Sequence, residues 1–326
     1  MISHLISSLL IIFLALFAGY VVQRLKRGNK LPFELDLEKS RKRIQKIAIL
    51  YILPVTFVGV YWTMDFSQIK LFLLPILGFF QLILGGLIAI LIAKNLRMNH
   101  LDTGAFFCCG FFSNLLNIGG LVCFLMLGEE GYKLVTLYIF FVHFAYYAIG
   151  FPIAKYFSLK NSENNIKIFN IKTLLKDPFI IIVMSSIFTG LSFNLSGLER
   201  PSVFSSIIAI FVPVSTILLL FSIGLSMKPS KLRDYLKVSV LIAGIKFLII
   251  PIVMLSLSLL IGYHKILDAL PLKVIMILSS TPVAFNSLIP PSLYGLNLDL
   301  ANSCWIFTTF GLIFTLPILF LLVNMI

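Results

Sequence analysis

Two asparagines three positions apart stand in the middle of an apolar run of membrane length. Asn114 and Asn117 lie within residues 103–127, TGAFFCCGFFSNLLNIGGLVCFLML. A carboxamide offers two donors and two acceptor lone pairs without charge. It can satisfy backbone groups freed by a helix break, or it can hold a polar ligand. Asn286, within residues 272–297, offers the same two roles. Ser113, Ser279, Ser280 and Thr281 add hydroxyls that bond either a ligand or the preceding turn. Lys246 interrupts the run LIAGIKFLIIPIV. A charge at that depth costs about 3 kcal/mol on insertion scales and normally has a partner. Yet Asp65, Asp102, Glu129, Glu130, Asp177, Asp268 and Asp299 all fall at the ends of apolar runs. Three readings of Lys246 follow: capping by carbonyls of a broken helix, attraction of an anionic ligand, or snorkelling to an interface. His143, in FFVHFAYY, has a near-neutral reference pKa. It reads either as a proton carrier or as a neutral histidine bonded to a neighbouring helix. Tyr146 and Tyr147 read as packing.

The elements that must position these groups are membrane helices. The chain of 326 residues is 59% hydrophobic and 12% charged, against about 25% charged in soluble domains. Ten apolar spans are expected, at about 5–23, 44–64, 70–93, 103–127, 131–156, 177–196, 203–227, 236–263, 272–296 and 300–324. The first has no Lys or Arg before it and a dense basic cluster after it, the reverse of a signal peptide, so it reads as a retained span. Counting residues at or beside the span ends, 20 Lys and Arg fall on the side of the loops after spans 1, 3, 5, 7 and 9. Only 5 fall on the other side. The positive-inside rule then places both termini outside the cytoplasm of a cell whose inner (plasma) membrane the chain crosses many times. The net charge of +13 is thereby a topological signal and needs no nucleic acid. Cys108, Cys109, Cys123 and Cys304 sit in apolar stretches with no metal or disulfide spacing, and no cofactor is expected.

Prolines recur in register along the two halves. Pro54 in span 2 matches Pro213 in span 7, Pro75 in span 3 matches Pro251 in span 8, and Pro152 in span 5 matches Pro317 in span 10. Spans 4 and 9 are the interrupted pair. Residues 1–157 and 158–326 therefore read as two five-helix repeats. Five is odd, so the second half enters the membrane inverted relative to the first, as alternating-access carriers require. In lipid, a helix break is tolerated only where it is buried or lines a cavity. Broken half-helices with fixed terminal charge are the substrate sites of secondary transporters. The spans carry no mid-membrane carboxylate and one mid-membrane cation, which favours a negatively charged substrate. No HExxH, GxSxG, intramembrane aspartate pair or P-loop occurs, so the chain does not read as an enzyme.

Three stretches carry a resemblance. FFSNLLNIGGLVCFLMLGEEG in span 4, PVSTILLLFSIGLSM in span 7 and TPVAFNSLIPPSLYGLNLDLANSCWIFTTFGLIFTLP across spans 9 and 10 resemble the auxin efflux carrier family, which includes the plant PIN-formed transporters and many bacterial carriers. The resemblance runs the whole chain in order. It implies an all-α integral membrane fold like the sodium/bile-acid symporters, with spans 1, 2, 6 and 7 as scaffold. Spans 3–5 and 8–10 form a mobile core in which spans 4 and 9 cross. It also implies an elevator-like mechanism, a small carboxylate as substrate, Asn114, Asn117 and Asn286 at the crossing, and a homodimer through the scaffold helices. The chain lacks the long central loop of the plant members, and Pro290-Pro291 stand where one proline is usual, so auxin itself is not carried over. The expectation is a secondary transporter of a small organic anion. Substrate contacts are Ser113, Asn114, Asn117, Thr281, Asn286 and Lys246, and His143 is the candidate proton carrier. The alternatives are a sodium-coupled carrier like the bile-acid symporters, and a non-transporting membrane sensor.

Overall fold

The computed structural model describes residues 2–28, 36–65, 67–159, 178–227 and 232–326. Among these the β-structure is confined to one isolated antiparallel bridge, Ser113 to Val283. The regular elements are helices: α1 (Ile2–Arg27), α2 (Leu37–Ile47), α3 (Leu53–Trp62), α4 (Leu74–Asn95), α5 (His100–Phe111), α6 (Leu121–Tyr138), α7 (Val142–Ala145) and α8 (Phe151–Leu159). They continue with α9 (Pro178–Leu195), α10 (Val203–Gly224), α11 (Leu236–Gly244), α12 (Ile250–Ile261), α13 (Leu270–Ser279), α14 (Ile289–Tyr294) and α15 (Leu298–Met325).

Seven described stretches are long and apolar enough to cross a membrane: Leu5–Arg27, Leu37–Trp62, Ile69–Asn95, Leu115–Leu159, Val203–Gly224, Leu236–Ile261 and Leu298–Met325. Three of the ten expected spans fall short for physical reasons. The first half of span 4 is the 12-residue α5, and the second half runs on into span 5. The described apolar part of span 6 is the shorter helix Ile181–Leu195. Span 9 is divided between the 10-residue α13 and the 6-residue α14. Along α1, Ile6, Leu10, Leu14 and Phe17 are all more than half or about half exposed, at helical spacing. Such a stripe is costly in water and neutral in lipid, which is why it can stay uncovered.

Three helical runs contain a π-helical turn: Ala48–Ile52, Tyr146–Gly150 and Ile245–Ile249. Each ends two residues before a proline: Pro54, Pro152 and Pro251. A proline ring inside a helix collides with the carbonyl four residues back. The wide turn moves that carbonyl aside, so the helix continues through the proline. A fourth π-helical stretch, Leu115–Gly120, has no proline after it and instead follows the break in span 4.

The chain divides into two compact units. One comprises Met1–Gln68, Leu116–Thr136 and Leu175–Lys228. In it α1 and α10 meet backbone to backbone, because a Cβ on Gly19 would strike the Phe221 carbonyl and one on Gly224 the Leu16 carbonyl. Its polar contacts gather at one end. Arg200 pairs with Glu129 and donates to the Gly59 carbonyl, while Lys133 donates to Glu130 and to the Thr63 carbonyl. The other unit comprises Ile69–Leu115, Leu137–Leu174 and Pro229–Ile326. There α4 and α5 approach closely at Gly85 and Gly110, where either added Cβ would meet the opposing backbone.

Candidate functional site

The second unit holds the break in span 4. Asn99 starts α5 by accepting the Asp102 N–H through its side chain, at 2.8 Å. From Thr103 to Phe111 every residue of α5 is buried. The helix stops there, since Phe112 is extended (φ −77°, ψ 124°). Ser113 and Asn114 follow, residues whose side chains compete with helical hydrogen bonding. The extended stretch finds its partners in span 9. Asn114 N–H donates to the Pro282 carbonyl at 3.0 Å, and Ala284 N–H donates to the Phe112 carbonyl at 3.2 Å. These two bonds make the Ser113–Val283 bridge. Val283 N–H, facing away from that pairing, donates to Thr308 Oγ1 at 3.2 Å. Tyr146 hydroxyl donates to the Ser113 carbonyl at 2.8 Å, so Tyr146 does more than the packing expected of it. The backbone groups freed by the break are thus bonded within the protein, as a bilayer would demand.

Lys246 completes the span 4 break. It lies in the π-helical turn between α11 and α12 and is fully buried. Its Nζ donates to the Gly110 carbonyl at 2.6 Å, the Phe112 carbonyl at 3.2 Å and Ser113 Oγ at 2.6 Å. Three acceptors match the three protons of an ammonium. All three oxygens are uncharged, so the positive charge is solvated without being cancelled. The last carbonyls of a helix carry partial negative charge and favour a cation. Cationic donation to them replaces the bonds that the missing turn would have made.

The span 9 break is closed by neutral groups. After α13 ends at Ser279 the chain turns at Ser280 (φ −95°, ψ 20°), pairs at Val283, is extended at Ala284 and passes through a 3₁₀ turn at Phe285–Leu288 into α14. The Leu278 carbonyl accepts from Gln81 Nε2 at 3.2 Å and from the Thr281 hydroxyl at 2.8 Å. Gln81 Oε1 in turn accepts from the Tyr138 hydroxyl. Pro290 and Pro291 lie in the first turn of α14. There a missing N–H costs nothing, so the prolines start the second half-helix rather than make the break.

The expected site residues are distributed as follows. Ser113, Asn114, Thr281, Asn286 and Lys246 all belong to the second unit. Ser113 is held by Lys246, and Thr281 spends its proton on Leu278. Asn114 is buried, whereas Asn286 is exposed. Next to Asn286, Ser287 is fully buried and its hydroxyl has no hydrogen-bond partner. His143 is half-buried, edge-on to the Tyr146 ring at 6.2 Å between centroids. Asn117 belongs to the first unit, in the π-helical stretch, where its carbonyl accepts from the Thr216 hydroxyl at 3.3 Å. The neighbouring Gly120 lies against the Tyr132 ring, which an added Cβ would crowd. Gln81, Ser287 and Thr308 were not anticipated. A lone carboxamide in the apolar run LPILGFFQLILGG is the signal that would have marked Gln81.

No aspartate or glutamate is buried among the described residues, whereas Lys133, Lys155 and Lys246 are. A family of membrane transport proteins matches the chain over residues 4–320. The chain belongs to this family, the auxin efflux carriers. It is also 27% identical over 290 residues, 86% of its own length and 89% of the relative's, to an uncharacterized transporter of Methanocaldococcus jannaschii. An auxin efflux carrier is a multi-pass membrane transporter, and the helices described above meet that requirement in length and composition.

Proposed function

We propose that the chain is a secondary transporter of a small organic anion, a mono- or dicarboxylate. The observation that carries this reading is the charge at the crossed breaks. One buried ammonium is held by uncharged oxygens alone, and no buried carboxylate is found among the described residues to offset it. A positive potential in a low-dielectric setting attracts an anion strongly. Lys246 has no proton left for the substrate in this geometry, so its part is the potential. Direct hydrogen bonds fall to Asn114, Asn286 and the unpartnered Ser287 hydroxyl. Asn117 is assigned the same role through its place in the sequence motif, and His143 is the proton carrier if coupling is to protons.

The mechanism we infer is alternating access by ten spans in two inverted repeats. Spans 3–5 and 8–10 move in elevator fashion, and spans 1, 2, 6 and 7 stay fixed. The packing of α1, α3, α9 and α10 in one unit, and of span 9 with the first half of span 4 in the other, supports this division, while residues 116–136 pack with the former.

A thermal-shift screen of the purified protein against small carboxylates, amines and neutral metabolites tests the substrate class. A carboxylate at a hundredfold excess over its Kd stabilises by about 2.7 kcal/mol through mass action. It is expected to raise the midpoint of the wild type but not of Asn114→Ala or Asn286→Ala. Stabilisation by amines or neutral compounds alone would sink the anion assignment. An undiminished response in both variants would sink the site.

A further inference from the structure

The oxygens around Lys246 Nζ form a cage of two backbone carbonyls and one hydroxyl at the C-terminal end of a half-helix. Unwound carbonyls and half-helix C-termini are the groups with which secondary transporters coordinate a dissolved coupling cation. Here the cage is filled by a cation on a covalent tether. The tether is held in place by the π-helical turn at Ile245–Ile249, and the cage is walled where Gly85, Gly110 and Ile250 converge. The contact distances of 2.6, 2.6 and 3.2 Å suit an ammonium or an ion near potassium in size. Choline, a quaternary ammonium with no N–H, can neither fit nor donate.

Building on the transporter reading, we propose that Lys246 is a built-in substitute for a coupling cation, and that the cage is a latent monovalent cation site. The wild-type chain then needs no dissolved alkali ion. Replacing lysine by an unbranched apolar side chain one atom shorter, which fills the stem's space and vacates the cage, converts the chain into a cation-dependent one. Lys246→Met does this, since methionine adapts to irregular space and brings no charge. The Gly110 carbonyl and the Ser113 hydroxyl lose their partner and the Phe112 carbonyl keeps only its bond from Ala284 N–H, a cost in a dry site that a dissolved cation relieves by binding.

The test is thermal unfolding of the wild type, Lys246→Met and the double variant Lys246→Met/Ser113→Ala. Each is purified and melted in ammonium, potassium, sodium or choline chloride at equal ionic strength. The wild-type midpoint is expected to be the same in all four salts. Lys246→Met is expected to melt lowest in choline and to recover several degrees, saturably, in ammonium or potassium. The double variant should recover less, having lost one of the three oxygens. Equal midpoints of Lys246→Met in every salt would overturn the proposal. So would failure to recover a folded variant even when ammonium or potassium is present throughout, because the cage would then not accept a free cation. A second arm measures carboxylate flux of the wild type in proteoliposomes with potassium, sodium or choline outside. Equal flux supports the built-in cation, and flux driven by a sodium or potassium gradient overturns it. Absence of any carboxylate flux would sink the transporter reading and leave the salt-dependent melts to stand by themselves.

Discussion

The breaks in spans 4 and 9 share one antiparallel bridge, yet they are closed by different chemistry. At the first break the Gly110 and Phe112 carbonyls meet a charged donor, and at the second the Leu278 carbonyl meets a carboxamide and the hydroxyl of Thr281, three residues on. In both cases the distant donor comes from the other half of the chain. Lys246 reaches back to Gly110, and Gln81 reaches forward to Leu278. Neither half can close its own break. A charged donor makes stronger hydrogen bonds than a neutral one, but it must be stripped of water to do so. A neutral cap would suffice to hold the backbone, as Gln81 demonstrates. The lysine therefore brings something that the backbone alone does not require, namely a fixed positive potential beside the bridge.

Substitutions at the two caps sharpen this contrast. Lys246→Leu should have the largest effect. It takes the donor from the Gly110 carbonyl and from Ser113 Oγ, leaves the Phe112 carbonyl with Ala284 N–H alone, and should destabilise by on the order of 3 kcal/mol. A melt in detergent reads this as the greatest loss of midpoint in the set, together with loss of carboxylate-induced stabilisation. Gln81→Leu should cost less, about 2 kcal/mol, because Leu278 keeps the Thr281 hydroxyl while the Tyr138 hydroxyl loses its acceptor. Its carboxylate response should survive. Loss of that response in Gln81→Leu as well would erase the distinction between a charged and a neutral cap. Tyr146→Phe removes one hydrogen bond to the Ser113 carbonyl, which Leu115 N–H still serves, and should cost about 1 kcal/mol. Thr308→Val takes the acceptor from Val283 N–H and should lie between these last two, with substrate response retained. The smallest expected effect on stability is that of His143→Gln, since the residue is only half-buried. If His143 carries the coupling proton, flux in this variant should lose its pH dependence.

Much of the fold was legible in the residues. Hydropathy alone identifies a helical membrane protein, and the motifs of spans 4, 7 and 9–10 identify the family. The break in span 4 was visible in Ser113 and Asn114, which are poor helix formers in an apolar run. Its extent was not, because the stretch 112–114 is extended only by pairing with residues near 283, a contact that no local pattern encodes. The same limit hid Gln81, whose bond to Leu278 spans 197 residues of sequence. Pro290-Pro291 are ambiguous for a different reason. Proline signals interruption, but in the first turn of α14 it signals a beginning. The count of ten spans also outran what length can establish, since α5, α13 and α14 are each too short to cross a bilayer alone.

The π-helical turns have a consequence for how such a chain can change over generations. Each takes one residue more than an α-helix would use over the same rise. In the run from Leu236 to Ile261 that extra residue sets the angular register between Lys246 and Pro251. Deleting a single residue from Ile245–Ile249 would restore regular winding and turn the flanking segments relative to each other by about 100°. The lysine would then swing away from the Gly110 carbonyl although every side chain that contacts it is still encoded. Point substitutions sample such a protein gently, whereas a one-codon deletion at these turns should remove the charged cap in a single step.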